Sequence, residues 1–166
     1  MGLFRLLFNT YCARAAQQTV QRRTHQTRLV VVAGTNAPAT LPAMPASGFL
    51  RSKCHVIDGD TIVIARTKIR LAGIDAPELD QPWGQKSKWA MVAICKGEVI
   101  TAELNGERSY DRLVGSCYLP DGRDIAAELV KQGLALDWPA FSKGKYRHLE
   151  PDGARRKLWK VSHRTG

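Results

Sequence analysis

The chain has 166 residues, 44% of them hydrophobic and 24% charged, a balance that supports a packed core and excludes a wholly disordered chain. Its net charge of +10 is unevenly placed: residues 1–57 carry seven basic and no acidic side chains, whereas the remaining 109 carry 18 basic and 15 acidic ones. The pI of 9.8 therefore describes mainly the N-terminal segment, and it is weak grounds for assigning a partner to the folded part.

Residues 1–48 read as a leader or disordered segment and residues 49–162 as the folded domain. The leader is Arg-rich and acid-free, with short apolar pieces at LFRLLF and LVVVAG followed by NAPATLPAMPASG. A secretory leader, an organellar transit segment and a start codon assigned too early all fit this pattern. The first would make the protein exported, to the periplasm or the medium. No apolar run reaches the roughly eighteen residues that a transmembrane helix needs, so none is expected.

From Gly48 the pattern turns to strands. Cys54–Ile57 leads into an Asp58-Gly59 turn, and Thr61–Ala65 alternates with Ile62 and Ile64 on one face. After Arg66-Thr67, the strand Lys68–Ala72 sends Ile69 and Leu71 to the core and Arg70 to the other side. Residues 84–96 predict a helix ending at Gly97, with Trp89, Val92, Ala93 and Lys96 at helical spacing. Strands over Glu98–Leu104 and Val114–Leu119 follow, the second closed by Pro120-Asp121-Gly122. Asp124 caps a helix over Ile125–Gln132 that turns Ile125 and Leu129 inward, and Gly133 ends it. Leu134–Trp138 is extended. Arg147–Lys160 is helical in composition, with Pro151 either starting a new helix or breaking the old one. Five short strands among about three helices predict an α+β fold built on a five-stranded Greek-key barrel, the OB-fold.

Four cysteines, Cys12, Cys54, Cys95 and Cys117, lack zinc spacing and read as free thiols, with a Cys54–Cys95 bridge open if the protein is exported.

No acid precedes Asp58, after which Asp58, Asp60, Asp75 and Glu78 fall in a single stretch that also holds Arg70. Carboxylates so grouped suit a hard cation, which takes oxygen ligands and leaves room for a phosphate oxygen. The spacing is not that of an EF-hand. Taken alone, Asp58-Gly59-Asp60 reads as a hairpin turn and Asp75–Glu78 as a helix cap. The string as a whole says more. VIDGDT, IRLAGIDAPE, SYDR and LPDGRDIAAELVKQGLA, in that order, resemble the thermonuclease family, the staphylococcal-nuclease-like domain, from about Cys54 to Trp159.

The resemblance implies a calcium-dependent nuclease that hydrolyses phosphodiester bonds of DNA and RNA with little sequence preference and leaves 3′-phosphates. It implies calcium ligation by Asp60, Asp75 and the main-chain carbonyl of Ala76, with Asp58 supporting these ligands from behind. Because the third ligand is a backbone oxygen, Ala76 serves as well as the Thr usual there. Glu78 corresponds to the general base for the attacking water. Arg70 and Arg112 correspond to the arginines that fork onto the phosphate. Tyr110 corresponds to a phosphate-bonding tyrosine, although Asp111 stands where the family has glycine. Trp138 and Phe141 lie where the family has aromatics beside the base. The expected partner is a nucleic-acid substrate, met by a monomer. The alternative is a non-catalytic OB-fold that binds nucleic acid or protein; such modules have lost several of these residues, whereas here Asp60, Arg70, Asp75, Glu78 and Arg112 are all present.

Overall fold

A computed structural model of the chain describes residues 43–165. The leader reading of residues 1–48 falls mostly outside them. Eight strands are present among the described residues: β1 (Phe49–Ser52), β2 (Cys54–Val56), β3 (Thr61–Ile64), β4 (Thr67–Leu71), β5 (Ile74–Asp75), β6 (Ile100–Ser109), β7 (Arg112–Tyr118) and β8 (Leu136–Asp137). Six form one sheet in the order β1-β6-β7-β4-β3-β2, and β5 pairs with β8 apart from it. Only β4 and β7 run parallel; the other pairings are antiparallel. This mixed sheet curls into a half-barrel of the OB-fold type, in line with the expected α+β class.

The alternation read from the sequence puts Ile62, Ile64, Ile69 and Leu71 in the core, each at most 1% exposed. The β3–β4 hairpin closes on Ala65 and Arg66, both left-handed at φ 47° and 66°. Two such residues give the turn that matches the twist of the flanking strands. Strand β6 runs to Ser109, well beyond the expected end at Leu104, and its register with β7 shifts between Leu104 and Arg108. That bulge lets the hairpin arm reach out from the barrel.

The helices are α1 (Gly84–Cys95), α2 (Ile125–Lys131), α3 (Pro139–Ser142), α4 (Ala154–Lys157) and α5 (Trp159–Thr165), with a 3-10 turn at Arg147–Leu149. Helix α1 covers Gly84–Cys95, against the expected 84–96. Gly84, Ser87, Met91 and Cys95 are buried, while Trp89 is 63% exposed and Ala93 is exposed. Small residues were needed on the inner face because the Asp58–Asp60 turn approaches it closely. Helix α2 follows expectation: the Asp124 carboxylate accepts from the N–H groups of Ala126 and Ala127, and Ile125 and Leu129 are fully buried. The C-terminal stretch is broken rather than continuous. Pro151 starts no helix; Gly153, at φ 77°, precedes α4, so there are five short α-helices where about three were expected. Cys54, Cys95 and Cys117 are unbridged thiols. Among the described residues, no helix is long and apolar enough to cross a membrane.

Candidate active site

The acidic stretch folds into two neighbouring turns. Asp58 Oδ1 accepts the N–H of Asp60 at 3.0 Å, closing the tight link from β2 to β3. Gly59 is required there: a Cβ would stand 2.0 Å from Ser87 Oγ and 2.7 Å from the Ala76 Cβ. The turn is thus wedged between α1 and the segment after β5. Pairing of β3 with β4 sets Thr61 opposite Arg70. From there Arg70 Nη1 donates to Asp60 Oδ2 at 2.7 Å, and Nη2 donates to Asp75 Oδ1 at 3.1 Å and to the Ile74 carbonyl at 3.4 Å. The Ala76 N–H also donates to Asp60 Oδ2, at 3.3 Å. One guanidinium therefore gathers Asp60 and Asp75, both nearly buried.

Arg112, the first residue of β7, approaches from the other side. Its Nη1 donates to Thr61 Oγ1 at 3.0 Å, and Thr61 Oγ1 donates to Asp60 Oδ1 at 2.9 Å. Its Nε and Nη2 donate to the carbonyl and hydroxyl of Ser109 at 3.4 and 3.2 Å. Thr61 thus joins the second arginine to the first aspartate, a role that sequence reading missed although the threonine stands within the DGDT string. Tyr110 sits at the hairpin tip, left-handed at φ 56° and 89% exposed. The positive φ falls on the tyrosine and not on Asp111, so glycine is not needed at that next position. Asp111 pairs with Lys68 across the hairpins, neither with Arg108 nor with Lys143.

Glu78 lies in the loop after β5, exposed, and its carboxylate has no hydrogen-bond partner among the described residues. Its backbone is held from below. The Glu78 carbonyl accepts the N–H of Gln81, and a Cβ on Gly84 would stand 1.8 Å from that carbonyl. Trp138 is half-buried, its ring edge-on to Phe141 with centroids 4.7 Å apart. Arg70 Cζ lies 5.6 Å from the centre of the Trp138 ring, which links this aromatic pair to the charge cluster. Trp138 is anchored by its N–H donating to the Gly73 carbonyl at 2.9 Å.

A third arginine was not foreseen. Arg164, on α5, donates from Nε to Asp75 Oδ2 at 2.8 Å and from Nη2 to the Ala76 carbonyl at 3.1 Å. The sequence carried no local signal for it, since Arg164 is one of several basic residues near the C-terminus.

Burial dominates the electrostatics of the acidic cluster. Burial, with the Asp60 carboxylate adding to it, raises the Asp58 carboxyl to about 6. Burial also raises the Asp75 carboxyl, against the pull of Arg164 and Arg70, with Asp60 adding to the rise. Burial of Arg70 works against its charge, and Asp60 and Asp75 more than offset this, holding it above the ordinary guanidinium range. Among the described residues, no three or more His, Cys, Asp or Glu side chains cluster as a metal site. The oxygens of Asp60, Asp75 and the Ala76 carbonyl are nonetheless hard donors drawn together by Arg70 and Arg164. That chemistry fits a cation such as calcium.

Comparison with known proteins identifies the family. Residues 68–160 match the family described as staphylococcal nuclease homologue. The matched stretch contains Arg70, Asp75, Ala76, Glu78, Tyr110, Arg112, Trp138 and Phe141, whereas Asp60 and Arg164 lie on either side of it. The chain is 35% identical over 105 residues to the succinoglycan biosynthesis protein ExoI of Rhizobium meliloti, covering 57% of this chain and 55% of that protein. It is 36% identical over 92 residues to an uncharacterized endonuclease of Escherichia coli, covering 53% and 60%. With the staphylococcal-like nuclease CAN1 of Arabidopsis thaliana it shares 27% identity over 132 residues, 78% of this chain and 40% of that one. The chain thus spans only part of the length of these relatives. The match over more than half of its residues makes it a member of the staphylococcal nuclease homologue family.

Proposed function

We propose that the protein is a calcium-dependent nuclease that hydrolyses phosphodiester bonds of DNA and RNA with little sequence preference. The observation that carries this reading is the single connected cluster in which Arg70 joins Asp60 to Asp75 and Thr61 joins Asp60 to Arg112. Family membership and relatives named as nucleases support it. Asp60, Asp75 and the Ala76 carbonyl would hold the cation, with Asp58 behind them. When bound, calcium would neutralise a phosphoryl oxygen and favour ionisation of a nearby water.

The chain's own residues supply the rest. Arg70 and Arg112 each make three hydrogen bonds here, so two of the five N–H groups on each remain for a phosphate. Guanidinium groups keep their charge at any working pH and act on the negative charge that builds up on phosphorus. Glu78 is exposed, and its carboxylate has no partner among the described residues, so it is free to take the proton of the attacking water. Its backbone is held by Gln81 and packed close to Gly84, which leaves the carboxylate itself untied. Tyr110 would reach a phosphate from the hairpin tip, and Trp138 with Phe141 would stack on a base without regard to its identity.

The binding-module reading draws support from one feature: each proposed cation ligand already receives a guanidinium or amide N–H. A single assay separates the two readings. The full chain is incubated with single-stranded DNA, with calcium and then with excess chelator. Cleavage that the chelator stops is expected; DNA binding without metal-dependent cleavage would favour the module.

A further inference from the structure

Arg164 sets a positive charge directly against the proposed metal ligands. Its fork takes the outer oxygen of Asp75 and the carbonyl of Ala76 together, two of the three groups proposed to hold calcium. Both oxygens of Asp75 already accept a guanidinium N–H, Oδ1 from Arg70 and Oδ2 from Arg164, so one lone pair of each is taken. A guanidinium and a calcium ion held on the same oxygens are like charges a few ångströms apart, and they repel one another.

This contact is supported, not incidental. Helix α5 buries Val161 and Thr165, and Thr165 Oγ1 donates to the Val161 carbonyl. Arg155 ties the segment back to the site's own scaffold. Its Nε and Nη2 grip Glu150 at 2.9 and 2.8 Å, its Nη2 also donates to the Asp137 carbonyl at 3.1 Å, and its Nη1 reaches Thr165 Oγ1 at 3.4 Å. Asp137 pairs with Ile74, the residue before Asp75. The arm that carries Arg164 and the strand that carries Asp75 are therefore parts of one brace.

We propose that Arg164 is a tethered cation that competes with the metal for Asp75 and the Ala76 carbonyl. Metal loading then requires the guanidinium to leave and the end of α5 to shift. This makes Arg164 a residue that sets metal affinity, and it couples occupancy of the site to the C-terminal helix. The inference rests on the calcium reading given above.

The test is calorimetric titration of the full chain with calcium, comparing wild type with R164A and R164Q, and with D75A as the control that removes a ligand. Expected is calcium binding at least about tenfold tighter in both Arg164 variants than in wild type, a difference of roughly 1.4 kcal/mol. R164Q keeps a polar, uncharged side chain at this position and guards against a folding defect in R164A. In parallel, hydrogen exchange of the Val161–Thr165 amides in wild type is expected to quicken when calcium is added. Equal or weaker binding by both variants, with D75A abolishing it, would overturn the competition while leaving the metal site standing. Absence of calcium binding in wild type and both variants would instead remove the calcium reading and this inference with it.

Discussion

Two regions converge on the acidic cluster by different means. On one side, β3, β4 and β7 carry Thr61, Arg70 and Arg112, whose positions are set by strand register and by a core of fully buried isoleucines and leucines. On the other, a stretch interrupted by Pro151 and Gly153 carries Arg164, held by short helices and by the polar clamp of Arg155, Glu150 and Asp137. The sheet side has no second arrangement available without breaking a ladder. The helical side has its own small apolar cluster of Leu136, Ala154, Leu158 and Val161 and a largely buried Arg155–Glu150 clamp, so what can leave the acids is the partly exposed Arg164 side chain. A site built this way has fixed acids and a removable base.

The strongest way to break this contrast is at Glu78. Glu78→Gln is expected to lower kcat by about 10²- to 10⁴-fold, the range for loss of a general base, with calcium affinity and melting temperature unchanged. Near-normal turnover in the purified variant would remove Glu78 from the chemistry. Arg70→Ala comes next, and its expected effect is on the fold. Removing the guanidinium leaves Asp60 and Asp75 buried side by side, and a broken buried pair costs about 3–5 kcal/mol, to be read from urea unfolding. A loss under about 1 kcal/mol would mean that the sheet side is less rigid than its register implies.

Gly84→Ala tests whether backbone contact positions the Glu78 loop. The new Cβ would overlap the Glu78 carbonyl, and overpacking of this kind costs about 1–3 kcal/mol. A fall in kcat larger than the fall in stability accounts for is expected. Unchanged kinetics would mean that the loop finds its working position independently. The smallest effect is expected at Trp138→Ala: substrate binding weaker by about 1–3 kcal/mol, the usual worth of one stacked base, with kcat little changed. If KM for single-stranded DNA does not rise, the Trp138–Phe141 pair belongs to the packing of β8 alone.

The contrast also explains what was legible beforehand. Alternation through Ile62, Ile64, Ile69 and Leu71 marks strands whose one face is buried, so Arg70 falls on the open face by parity alone. For helix α1 the helical spacing was legible, but not which face turns inward. Gly84 and Ser87 carry no hydrophobic signal, yet the Gly59 turn and the Glu78 backbone press against them. Met91, not Trp89, is the large side chain that α1 buries. Arg164 could not be read at all. A lone arginine in a basic helix looks solvated, and its partner Asp75 is 89 positions away in the chain.

The parallel pairing of β4 with β7 has a kinetic consequence. The β3–β4 hairpin is local, so Asp60 and Arg70 can meet early in folding, whereas β7 must close a long loop before Arg112 arrives at Thr61. A chain midway through refolding would hold its acids assembled but lack the second arginine. Recovery of cleavage after dilution from urea is therefore expected to lag behind burial of the hairpin, with the docking of β7 setting the delay.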